Sequence, residues 1–324
     1  MALHFTPAAG LLTLVLLCIV PAAPHQTAAG TFAADAPRLE QLWHEPGDLG
    51  RADLTAGSLG HDAAPDPRDI YTFIKPKTHG ASPGLKVRDT RGRVWHVKQG
   101  REAPPEVVVS HVLSAIGYRQ PPVYFLGSFT IVDGSGTHVV AGGRFRLSDG
   151  SMKDHGAWEW ENNPFIGSRP YQALLVVLVL LNSADLKNSN NTVYDVPGGA
   201  QHWYVVRDLG TSLGAISRID PTPNDLAVFE RRRFVTGIRD GFVEFEDYRA
   251  VHRELLTRTI TIDDVRWATA LLGRLGDRQW RDAFAGAGYD ATIAQRFIRR
   301  IAQKIDEGRT LVPVSSTTIG PVFP

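Results

Sequence analysis

Between Leu174 and Tyr194 the chain reads LLVVLVLLNSADLKNSNNTVY, eight consecutive aliphatic residues followed by one Asp, one Lys and four Asn. Asp and Asn favour helix ends and turns because their side chains bond nearby backbone groups, so Asp185 through Asn191 reads first as a polar cap. The stretch also sets a carboxylate (Asp185), an ammonium (Lys187) and an amide (Asn190) at short fixed intervals. A further carboxylate, Asp208, follows the β-like run HWYVV and precedes Leu209 and Gly210, which alone is an ordinary turn. Upstream, Gly80 and Gly84 lie between two strand-like runs, where bare backbone can approach a phosphate; a plain hairpin turn is the other reading. The next strand-like run ends in Lys98, placed to reach under that loop. Glu106 falls in the first turn of a helix, where it either complements the helix dipole or pairs with Lys98 and holds the ammonium for phosphate oxygens.

These residues need elements to position them. IYTFIKP, LKVRD and RVWHVKQG alternate as strands, PPEVVVSHVLSAIG is an amphipathic helix from Glu106 to about Ile116 stopped by Gly117, and VYFLGSFTIV and THVVAGGRFRL are two more strands. This predicts a five-stranded, one-helix unit ending near Leu147, with regular structure beginning near Ile70. A polar connector follows, in which Trp158 and Trp160 are expected to pack. Pro170 then opens a helix that is apolar on every face and so belongs at the centre of a helical region. FVTGIRDGFVEFED is β-like, Thr261 and Asp264 approximate a capping box, and DRQWRDAFA is helical. After Asp290, Ile293, Phe297, Ile301 and Ile305 recur every four residues on a last helix.

With the buried helix before it and D-x-G after it, the pattern D-L-K-x-x-N at Asp185, Leu186, Lys187 and Asn190 resembles the protein-kinase-like superfamily. The resemblance spans about Ile70 to Gly210. It implies an α+β, two-lobed protein-kinase-like fold, a small β-rich N-lobe with one helix and a larger, mainly helical C-lobe. It implies ATP as phosphoryl donor, with Mg²⁺ or Mn²⁺. Lys98 would grip the α and β phosphates and Glu106 would position it; Gly80 and Gly84 would lie over the phosphates. Asp185 would orient or deprotonate the acceptor, Lys187 would offset charge on the moving group, and Asn190 and Asp208 would supply oxygens to the metal.

The departures are as specific as the match. Asn182, Ser183 and Ala184 precede Asp185 where His-Arg is usual, D-F-G is D-L-G, A-P-E and G-x-G-x-x-G are absent, and Glu106 comes only eight residues after Lys98. These features are similar to the atypical branch: HipA-like kinases, phosphoinositide-kinase-like enzymes, and secreted kinases of the secretory pathway and of spore coats. The acceptor stays open among proteins, lipids and small molecules. A nucleotide-binding pseudokinase or a non-catalytic secreted or envelope protein is the alternative.

Composition narrows the setting. The chain has 324 residues, 43% hydrophobic and 21% charged, enough to build a sizeable core. Its 35 basic and 34 acidic side chains leave no field that argues for nucleic acid. Leu11 to Val20 is an apolar run followed by small residues, so 1–29 is expected to be a signal peptide cleaved near Ala29, although no Lys or Arg precedes the run. The exported chain, periplasmic or extracellular, would then lack cysteine, since Cys18 is the only one, and would lack a transmembrane helix. That excludes thiolate nucleophiles and disulfide scaffolds. The expected division is extension 30–67, N-lobe 68–148, C-lobe 149–310 and tail 311–324. His96, His111, His155, His202 and His252 show no metal-ligand spacing, and Arg231, Arg232 and Arg233 read as a solvated face.

Overall fold

The computed structural model describes residues 36–78, 82–148, 152–183, 185–195, 202–217, 222–246, 248 and 252–312. The expected signal peptide, Gly80 and the tail from 313 onward lie outside the described residues. Strands β1 (Ile70–Pro76), β2 (Gly84–Arg88), β3 (Val94–Lys98), β4 (Val123–Asp133) and β5 (Gly136–Leu147) close a barrel in the order β1-β2-β3-β5-β4, the parallel pairing of β1 with β4 completing it. Alternation sends one side-chain set inward. Tyr71, Val87, Trp95, Val97, Phe129 and Phe145 fill the interior, with Phe129 and Phe145 edge-to-face at 5.0 Å. Because Val97 points into this core, His96 and Lys98 point out of it.

Helix α2 (Ala103–Ala115) follows β3, with Pro104 and Pro105 in its first turn, where their missing N–H groups cost nothing. It starts three residues earlier than the sequence pattern suggests for that reason. Gly117, at φ 99°, ends it, and a Cβ there would meet the His44 carbonyl oxygen at 2.0 Å. Regular structure begins before Ile70: α1 (Ala36–Leu42) leads into Trp43, Leu49 and Leu54, all buried in the same core as α2. The segment read as an extension is therefore part of the apolar interior.

The C-terminal part is mainly helical. The short strand β6 (Lys153–Asp154) precedes α3 (Arg169–Leu180), capped by Ser168 through the Tyr171 N–H, and Leu174 to Leu181 are each 5% exposed or less. Burying one such side chain contributes about 1.5–3 kcal/mol, so this helix is held by packing on all faces. β7 (Asn191–Asp195) and β8 (His202–Val206) form a hairpin beside β6. Then come α4 (Leu226–Arg231), the hairpin β9 (Val235–Arg239) and β10 (Phe242–Phe245), α5 (Ile262–Leu272), α6 (Asp277–Gly286) and α7 (Ala291–Arg309). The capping box forms as its sequence predicts, with Asp264 N–H donating to Thr261 and Thr261 N–H donating to Asp264. Trp158 and Trp160 are buried and pack edge-to-face. Among the described residues no helix is long and apolar enough to cross a membrane.

Candidate functional site

Lys98 ends β3, opposite Gly84 on β2 and Arg144 on β5. Its side chain is only 4% exposed, and its Nζ lies 2.6 Å from Glu102 Oε2, 3.0 Å from Glu106 Oε2 and 2.5 Å from Asp208 Oδ1. Burial acts to lower the ammonium's pKa, but Glu106, Asp208 and Glu102 together outweigh it and leave it raised. Glu106 lies in turn 3.0 Å from Arg144 Nε. Its contacts with Lys98 and Arg144 are ion pairs without hydrogen-bond alignment. Burial pushes the Glu106 carboxyl up, yet Arg144, then Lys98 and Arg146, bring it down to about 2. Both groups are thus held charged.

Asp208 arrives from 110 residues away, at φ 55° and ψ 43°, an uncommon left-handed conformation just past β8. The residue two further on explains the D-x-G spacing. A Cβ on Gly210 would stand 2.7 Å from both the Cβ and the backbone oxygen of Glu102, and 3.0 Å from Lys98 Nζ. Only a bare Cα fits there.

The second group is built on the loop after α3. Asp185 accepts from Lys187 Nζ at 2.9 and 3.0 Å, and Asn190 Nδ2 donates to the Asp185 carbonyl oxygen at 3.0 Å, closing the D-L-K-x-x-N stretch on itself. Arg207 N–H donates to the Asn190 carbonyl oxygen at 3.0 Å, which sets Asn190 beside the residue preceding Asp208. The loop's entry is fixed from below. Asn182, at φ 54°, donates to the Gly214 carbonyl oxygen at 2.8 Å, and fully buried Lys304 of α7 donates to the Leu180 oxygen at 2.8 Å and to Asn182 Oδ1 at 3.0 Å.

The structure therefore brings Lys98, Glu106 and Asp208 into direct contact, and Asp185, Lys187 and Asn190 into a second cluster joined to the first through Arg207. Gly84 is the first residue of β2 and not a loop residue, and its bare Cα is required because a Cβ would meet the Val97 carbonyl oxygen at 2.3 Å. Gly80 lies outside the described residues. Sequence reading passed over two members. Glu102, four residues after Lys98, also accepts from Ser82 Oγ at 2.7 Å and so anchors the residue two before β2. Arg144 could be found only from the register of β5 against β3. His252 was read as a surface or packing residue; it sits with Glu161 and Glu254, their ligand atoms within 4.8 Å of one another, a grouping no spacing announces.

The donor set suits a hard divalent ion. Asp208 is 46% exposed, and the Asn190 side-chain oxygen has no hydrogen-bond partner among the described residues while its amide nitrogen is engaged. Carboxylate and amide oxygens are the ligands Mg²⁺ and Mn²⁺ prefer.

No protein-family model matches the chain, and no curated protein matches its sequence. Among solved structures it is similar to a proinflammatory kinase of Helicobacter pylori, CtkA, over 75% of this chain and 98% of that one, with 14% identity and a TM-score of 0.46. It is also similar to the Golgi casein kinase over 87% of each chain, with 11% identity and a TM-score of 0.39, including a structure of that kinase with Mn/ADP bound. The likeness is to kinases and is distant; the reading of the site rests on its own contacts.

Proposed function

We propose that the chain is an exported, metal-dependent phosphotransferase that moves the γ-phosphoryl group of ATP to a hydroxyl of a protein, lipid or small-molecule acceptor. One observation carries it: a buried lysine paired with the carboxylate of the following helix also touches a carboxylate 110 residues away. Residues this far apart gain nothing from local structure by meeting, and a buried ion cluster is weak as a stabilising device, so a ligand-binding role accounts for it best. Lys98, held by Glu106, binds phosphate oxygens. Asp185 takes the acceptor's proton as the new bond to Pγ forms; the bond between Pγ and the β-phosphate oxygen breaks and ADP leaves with that electron pair. Lys187 offsets charge on the moving group. Asn190 and Asp208 would hold Mg²⁺ or Mn²⁺, which when bound neutralises the phosphates. Export is supported by the apolar run from Leu11 to Val20.

The test is a thermal melt of the full chain with and without ATP and either metal, beside Asp208→Ala. At about a hundred times its dissociation constant a ligand adds about 2.7 kcal/mol, a shift of a few degrees. The parent should shift and Asp208→Ala should not; a parent that moves with neither metal removes the reading. The tight pairing of Lys187 on Asp185 favours a second reading, nucleotide binding without transfer. Metal-dependent labelling of any acceptor that is lost in Asp185→Ala would exclude it.

A further inference from the structure

Outside the ion cluster, the same face of the barrel carries a row of basic side chains. Lys75 on β1 stands opposite Lys86 on β2, Lys86 opposite His96 on β3, and His96 opposite Arg146 on β5. Directly opposed like charges destabilise a sheet, and Lys75 and Lys86 are such a pair, while His96, an uncharged imidazole near neutral pH, separates Lys86 from Arg146. Among the described residues none of the four side chains makes a direct ion pair or hydrogen bond; the Glu106 carboxylate, already engaged by Lys98 and Arg144, acts on Arg146 only from farther off. The row lines a cavity of about 290 Å³ that also reaches Lys98 and Arg144. His96 is two residues before Lys98 on one face of β3, so the two positions are about 6.6 Å apart along the strand.

We infer that this row is a second anion subsite, and that the cleft takes a ligand bearing at least two phosphate groups, one at Lys98 and another between Lys86, His96 and Arg146. The cleft's location rests on the phosphotransferase reading; the subsite itself rests on the register, the cavity and the unpaired cations. The electrostatics agree. Burial, then Arg146, Lys86, Arg144 and Lys75, push the His96 imidazole down to about 4, and burial followed by Arg144 lowers Arg146 to about 10. A row this crowded with positive charge releases repulsion when a polyanion enters. Two sources supply the same chemistry, the triphosphate of the nucleotide or a phosphorylated acceptor.

The experiment uses the full chain and inorganic tripolyphosphate without metal, with adenosine as the uncharged comparison. Tripolyphosphate is expected to raise the His96 titration midpoint, read by NMR of the parent, and adenosine is expected to leave it in place. In a Lys86→Met, Arg146→Met variant, tripolyphosphate binding should weaken tenfold or more. An unmoved His96 in the presence of saturating tripolyphosphate, or equal affinity in parent and variant, overturns the subsite. Metal dependence separates the two readings: a parent that shows no ATP shift with either metal fails the phosphotransferase reading, whereas metal-free tripolyphosphate binding that weakens in Lys86→Met, Arg146→Met still carries the subsite. Competition with ATP would assign the row to the nucleotide's own phosphates; simultaneous binding would assign it to a phosphorylated acceptor.

Discussion

Lys98 and Glu106 are the residues on which most of the site's electrostatics turns. The Glu106 carboxyl is held at about 2 against an ordinary 4.5, so the folded state prefers it ionised. Its contribution is fully present above about pH 4.5 and is lost as the pH falls towards 2, on the order of 3 kcal/mol in all. Denaturant unfolding of the parent and of Glu106→Gln should therefore differ most near neutral pH and converge across that window. A constant gap from pH 7 to pH 2 would count against the ion pairs described. Gly210 makes a steric prediction. Because a Cβ there meets backbone as well as side chain of Glu102, Gly210→Ala should cost about 1–3 kcal/mol and displace Lys98, and a variant as stable as the parent would show the approach to be looser than 2.7 Å.

At the scale of elements, the entry to the loop that carries Asp185 is held where α3 ends by a side chain of α7. Lys304 is fully buried, and its Nζ lies 3.9 Å from the centre of the Phe229 ring and bonds Leu180 and Asn182. Burial, then Arg300 and Arg232, lowers its pKa well below the ordinary lysine value. Tyr248 adds a bond from its hydroxyl to the Ser183 carbonyl oxygen at 2.5 Å. These contacts stand where the usual His-Arg before the loop is missing. Lys304→Met keeps the volume and removes the donor, leaving two buried acceptors unpaired, so it should destabilise by about 1–3 kcal/mol. Under the proposed phosphotransferase function it should lower the rate of transfer more than the affinity for ATP, and equal stability and rate in chemical denaturation and labelling assays would reject this positioning role.

Across the whole molecule, the segment before the barrel is structural. Trp43 Nε1 donates to the Ile116 carbonyl oxygen at 2.8 Å, Arg274 lies 2.5 Å from Glu45, and buried His111 of α2 contacts the carbonyl oxygens of Leu54 and Val123. Removing residues 1–68 would strip Leu42, Trp43, Leu49 and Leu54 from the core. At about 2–5 kcal/mol for each large core side chain lost, against a total stability of about 5–15 kcal/mol, the shortened chain should show no cooperative melt. A sharp transition near that of the parent would show the segment to be dispensable.

What the sequence determined by itself was local. Alternation set β1 to β5, the unbroken apolar run set α3, and proline, glycine and Thr261 set helix ends, because each depends on neighbours a few residues away. The D-L-K-x-x-N loop was legible because its members, Asp185, Lys187 and Asn190, bond one another. The tertiary structure decided what depends on register and long-range packing. It placed Asp208 on Lys98, joined Glu102 and Arg144 to them, moved Gly84 from loop to strand, drew the segment around Trp43 into the core, and aligned Lys75, Lys86, His96 and Arg146 across four strands. No spacing in the chain encodes those meetings, since strand order and barrel closure choose which distant residues stand opposite one another.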